Sequence, residues 1–149
     1  MHSPTRCLWV GLIVCTVVAG CSYDEHQYHA KKTHPVTGKV TVNGSPPGSP
    51  IVIQCHPENG IDASNPSVTQ GLTLPDGSFH LSTYEDGDGV PPGSYALTFY
   101  WGEFKVIQGS YGGPDKLKNR YAKPDKSPIR LAVDGSGPIE MGTIDLTTK

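Results

Sequence analysis

The chain has no long hydrophobic run. Its longest apolar stretch, Cys7 to Val18, is twelve residues interrupted by Gly11 and Thr16. Twelve residues of helix rise only about 18 Å, against a bilayer core of about 30 Å, so this stretch cannot serve as a permanent span. Cysteine is scarce, with four in 149 residues. Positive charge is not in excess: 12 Lys and Arg face 14 Asp and Glu, for a net charge of −2. That balance, without a basic tract, argues against nucleic acid as a partner and does not favour anionic lipid surfaces. No segment beyond residue 34 shows a helical apolar stripe. The chain also lacks H-E-x-x-H, G-x-S-x-G, a phosphate loop and a dinucleotide fingerprint. These absences remove the local-motif routes to metalloprotease, serine-hydrolase and nucleotide chemistry. What the chain does have is glycine and proline, 18 and 14 residues. They fall between short apolar runs and so read as turns.

The N-terminus is built as an export signal. Met1 to Arg6 is polar, with one fixed positive charge, and the apolar run follows. Small residues then lead into a cysteine, Val18-Ala19-Gly20-Cys21, which reads as a lipobox. Cleavage is expected between Gly20 and Cys21, with a diacylglycerol thioether on Cys21. The expected organisation is a signal peptide over residues 1–20, a flexible lipid-anchored tether over 21–34 and one domain over 35–149. The expected location is the cell envelope, held in the membrane through the lipid. Ser22 stands where Asp favours inner-membrane retention in bacterial lipoproteins, which favours the outer membrane. Cys7 and Cys15 leave with the signal, and Cys21 is acylated. Cys55 alone remains, so the domain must stand on its core without a disulfide. Loss of residues 1–20 leaves 129 residues with a net charge of −3.

From Pro35 onward the pattern has period two. Val36, Gly38, Val40 and Val42 share one face of a first strand. Ile51, Ile53 and Cys55 give the inward face of a second. Val68 to Leu74 gives a third, closed by Pro75-Asp76-Gly77, a hairpin signal. Phe79 and Leu81 point inward on the fourth, and Tyr95, Leu97 and Phe99 on the fifth. Residues 102–128 hold no clear period and read as a long connection, with a short helical turn near Lys116 to Tyr121. Ile129, Leu131 and Val133 make a sixth strand, and Ile139 to Leu146 a seventh, bulged at Gly142. The expected fold class is therefore all-β: a seven-stranded antiparallel Greek-key sandwich.

Several segments support a family resemblance. They are Pro35-Val36-Thr37-Gly38-Lys39-Val40-Thr41-Val42-Asn43-Gly44, His56-Pro57-Glu58, Asp76-Gly77-Ser78-Phe79, Gly87-Asp88-Gly89-Val90-Pro91-Pro92-Gly93-Ser94-Tyr95, and Arg120-Tyr121-Ala122-Lys123-Pro124. In this order they resemble small bacterial lipoproteins with a carboxypeptidase-regulatory-like, transthyretin-like domain, over Pro35 to about Thr147. The resemblance implies a prealbumin-like sandwich and an accessory module without catalytic residues. Transthyretin-like folds also include a purine-catabolic hydrolase with a Tyr-Arg-Gly-Ser-like C-terminal tail. This chain ends Leu146-Thr147-Thr148-Lys149, and no enzyme activity is expected of it.

Four groups of residues are chemically notable. Cys55 and His56 are adjacent, but strand neighbours point to opposite faces, so no nucleophile–base pair is expected. His26, His29 and His34, with Asp24 and Glu25, are zinc or copper ligand types on a tether without preset geometry. Asp86 and Asp88 lie in an acidic turn that has too few oxygens for an EF-hand-like calcium loop. No metal site or other cofactor is expected. Tyr100, Trp101, Phe104 and Tyr111 cluster at and after the fifth strand. Aromatic rings beside a loop can stack on sugars or seat a protein, and these four are the expected binding surface. The expected role is a non-catalytic module that binds or scaffolds an envelope protein, with envelope glycan binding as the alternative.

Overall fold

A computed structural model describes residues 30–149. The signal segment, Cys21, Asp24, Glu25, His26 and His29 lie outside the described residues. The described chain is all-β, with nine strands and no helix. The strands are β1 (Val36–Val42), β2 (Val52–Pro57), β3 (Thr69–Leu72), β4 (Ser78–His80), β5 (Gly93–Tyr100), β6 (Glu103–Lys105), β7 (Ser110–Gly112), β8 (Arg130–Val133) and β9 (Ile139–Leu146).

One sheet has the order β4-β1-β9, and a second has the order β3-β2-β5-β8. Their inward side chains meet in a single core. Val36, Val40, Phe79 and Leu146 come from the first sheet, and Ile53, Leu97, Phe99 and Leu131 from the second. Alternation along each strand places these residues on one side. On one flank the sheets are also joined by backbone: Gln70 and Ser82 exchange both N–H···O bonds, at 3.0 and 2.8 Å. Backbone groups at that corner thus pair with each other. Every buried side-chain polar atom among the described residues also has a partner. Tyr95 shows how: its ring enters the core, and its hydroxyl donates to the Pro91 carbonyl at 2.9 Å.

The structure corrects the sequence reading at four places. The strand count is nine among the described residues, because the long connection contains a separate hairpin, β6–β7. Its strands are only three residues each and mostly exposed, too short to show a period. The sheets are not wholly antiparallel: β1 and β9 run parallel. They lie far apart in sequence, so no tight turn imposes an antiparallel direction on the pair. The expected helical turn at 116–121 is a run of hydrogen-bonded turns instead. Lys118 and Asn119 have φ of 55° and 58°, which stops a right-handed helix from propagating. Finally, His34 does not lie on a free tether. It is buried, and its N–H and carbonyl both bond to Val90. The bulge falls where parity places it: the β1–β9 register shifts between Thr37 and Lys39, and Gly142 has a φ of 67°.

Candidate binding groove

The outer face of the second sheet does not follow the polar pattern of a solvated surface. Its outward positions include Val52, Leu72 and Tyr100, and Leu74 follows β3 on the same parity. Leu72 and Leu74 are largely exposed. The β6–β7 hairpin leaves the end of β5 and stands beside this face. A groove of about 1000 Å³ lies between them. Gln54, Gln70 and Thr98 contribute amide and hydroxyl groups to it. Phe104 and Tyr111 form one wall, their ring centroids 5.2 Å apart and tilted by 59°. His80, Ser82 and Asp86 line the opposite side.

The hairpin is held at its base by local bonds. The Tyr100 hydroxyl donates to the Gly113 carbonyl at 2.7 Å. Asp115 accepts from the backbone N–H of Trp101 and of Leu117, both at 3.0 Å, which ties the two ends of the excursion together. The structure therefore brings three of the four expected aromatics, Tyr100, Phe104 and Tyr111, into one groove. The fourth is elsewhere. Trp101 packs against the core, its indole Nε1–H donates to Ser49 Oγ at 2.8 Å, and the Lys116 ammonium lies 5.1 Å from its ring centroid. Strand alternation explains the split, because adjacent residues at the end of β5 turn to opposite sides. Val52, Gln54, Gln70, Leu72 and Thr98 escaped the sequence reading as site residues. Their signal was present in Val52 and Leu72, apolar residues at outward-facing positions.

The groups singled out for catalysis or metal binding that lie among the described residues are Cys55, His56, His34, Asp86 and Asp88. The Asp88 carboxylate accepts from the Thr83 and Tyr84 N–H groups at 2.7 and 3.0 Å, so it organises the turn. Asp86 Oδ1 lies 2.8 Å from His80 Nε2, an exposed pair that is ionic when the imidazole is protonated. No group of three metal-ligand side chains occurs among the described residues. Cys55 is buried in the core, while His56 sits on the opposite face with its Nε2 2.9 Å from Thr98 Oγ1. Desolvation lowers the His56 pKa and pushes the Cys55 thiol up to about 12. At pH 8 about one Cys55 in ten thousand is then thiolate. In the native protein Cys55 is expected to stay unmodified by iodoacetamide at that pH and to react rapidly in urea, as read from the mass of its peptide. Native alkylation at the rate of a free thiol would contradict its burial.

No protein-family model matches the chain. No curated protein matches it either. Among solved structures it is similar to a 9R-lipoxygenase from Cyanothece, with 13% identity and a TM-score of 0.39, over 76% of this chain and 16% of the lipoxygenase chain. The chain thus spans about a sixth of that protein's length, and a likeness so slight carries no argument about fold or activity.

Proposed function

We propose that this chain is a cell-envelope lipoprotein whose domain is a non-catalytic binding module of the carboxypeptidase-regulatory-like, transthyretin-like type. On this reading residues 1–20 are removed and Cys21 carries the lipid. Ser22 directs the protein to the outer membrane, and the sandwich has Greek-key connectivity. The lipobox at Val18 to Cys21 and the order of turn motifs support the anchor and the family. The observation that carries the binding role is the groove, which combines exposed apolar and aromatic surface with convergent amides. A soluble domain that exposes leucines and aromatic rings together on one face has a surface suited to a ligand.

Two ligand classes fit such a groove. An envelope protein segment would cover Leu72, Leu74 and Phe104. An extended envelope glycan is favoured by the pairing of flat rings, Phe104 and Tyr111, with Gln54 and Gln70, because sugars present apolar ring faces and hydroxyl edges. Tyr111→Ala and Gln54→Ala are expected to lower retention on immobilised envelope glycan by roughly tenfold each, with loss of stacking or of a hydrogen bond. Trp101→Ala should instead lower stability. Undiminished retention by both groove variants, together with unchanged crosslinking to any envelope protein, would remove the groove as the site. Turnover of a small substrate by the purified protein would refute the non-catalytic role. Labelling with a fatty-acid analogue, lost in Cys21→Ser, tests the anchor.

A further inference from the structure

The β6–β7 hairpin ends in an apolar tip. Ile107 is fully exposed at 101% and Val106 nearly so at 83%. Neither lines the groove, which uses Phe104, Gly109, Ser110 and Tyr111 from the same hairpin. The tip is flanked by Lys105 and continues into a basic stretch. Residues 102–130 hold seven of the 12 Lys and Arg and three of the 14 acids, a net charge of +4 in a chain of −2. All seven basic residues are exposed. Glu103 and Glu58 pair with two of them, Lys105 and Arg130. The modest overall charge thus averages over a basic segment that carries an apolar tip.

We infer that this tip inserts into the headgroup region of an anionic bilayer, and that exposed cations of the basic segment that follows it in the chain face the lipid phosphates. Exposed aliphatic side chains beside Lys are the composition of a segment that lies in a membrane interface. The inference rests on the lipid anchor proposed above, because the anchor sets the reach. Nine residue steps separate Cys21 from Ala30, at most about 32 Å of chain. The described chain begins beside the start of β5. Lys31 bonds Tyr84 and Asp62, and His34 pairs with Val90, three residues before that strand. The hairpin leaves the other end of β5, about 24 Å away along an eight-residue strand. The reach exceeds that distance, so a domain lying along the surface can bring the tip to the bilayer.

The test uses the full lipidated chain carrying Ile107→Cys, labelled with an environment-sensitive fluorophore. Cys55 stays unlabelled because it is buried. The protein is reconstituted into vesicles of phosphatidylethanolamine and phosphatidylglycerol, and in parallel into phosphatidylcholine vesicles. A probe at Lys149→Cys serves as the reference for an exposed position. The expected result is a blue shift and a severalfold brighter emission at 107, larger in the anionic vesicles, with 149 unchanged. Adding Val106→Asp should abolish the shift without altering the far-ultraviolet circular dichroism. A water-like probe at 107 in protein whose Cys21 is acylated by mass would overturn the insertion and leave the anchor standing. Equal shifts in both vesicle types would overturn the role of the basic stretch. Cys21 found unmodified would overturn the anchor and, with it, the argument from reach.

Discussion

Gly77→Ala is expected to lower stability by about 3 kcal/mol or more and to shift the urea midpoint accordingly. Gly77 has a φ of +89°. A Cβ added there would lie 2.0 Å from the Val40 carbonyl oxygen and 3.3 Å from Pro47 Cδ. Backbone cannot yield as a side-chain tip can. The turn must move, and the Val40 N–H bond to the Gly77 carbonyl, 2.8 Å long, is then disrupted. That bond holds the turn against β1 in the middle of the first sheet. Gly60→Ala is the control. Its φ is +82°, yet nothing lies within 4 Å of the added Cβ. The backbone strain alone remains, about 1 kcal/mol. Equal midpoints for the two variants would show that the Val40 contact adds nothing beyond the turn.

Phe99→Ala is expected to cost about 3–5 kcal/mol and to lower Tm by on the order of 10–20 °C. Phe99 is 1% exposed and is the largest of the fully buried side chains. Its ring meets Tyr121 edge to face, with centroids 6.2 Å apart. Its N–H also donates to the Tyr121 carbonyl at 3.1 Å. Truncation therefore empties the centre of the core and leaves Tyr121 without its ring partner. Tyr121 is one link to the C-terminal segment, beside Arg120 and Asn43, since its hydroxyl accepts from the Thr147 N–H at 3.1 Å. The variant should accordingly show faster amide exchange around Thr147. Calorimetry reads the first effect and hydrogen exchange the second. A Tm within a few degrees of wild type would mean that the cavity collapses freely.

Most strand positions were legible because alternation is a local property. Val36, Val40 and Val42, or Tyr95, Leu97 and Phe99, declare an inward face by spacing alone, and all six are buried. Asp76-Gly77 declared its turn for the same reason, since φ above zero selects glycine whatever packs nearby. The bulge at Gly142 was legible as a change of parity between Met141 and Ile144. The β6–β7 hairpin was not legible. Three-residue strands carry too little alternation, and their contacts are with each other. Of the groove, the aromatic wall could be read as composition. Alternation already separates Trp101 from Tyr100, but the gathering of Phe104 and Tyr111 beside Tyr100 could not be read, because it depends on how the β6–β7 hairpin stands against the sheet.

The one-dimensional pattern was sufficient for the all-β class, the inward residues, the turns and the unreactive setting of Cys55. Each of these depends on a residue's own backbone preference or on its neighbours two positions away. Tertiary structure alone decided the parallel pairing of β1 with β9 and the Gln70–Ser82 join between sheets. It also decided the seating of His34 on Val90 and the placing of Gln54, Gln70 and Leu72 opposite Phe104 and Tyr111. These are contacts between segments far apart along the chain. Their partners are chosen by how the two sheets close over a common core, which no local spacing encodes.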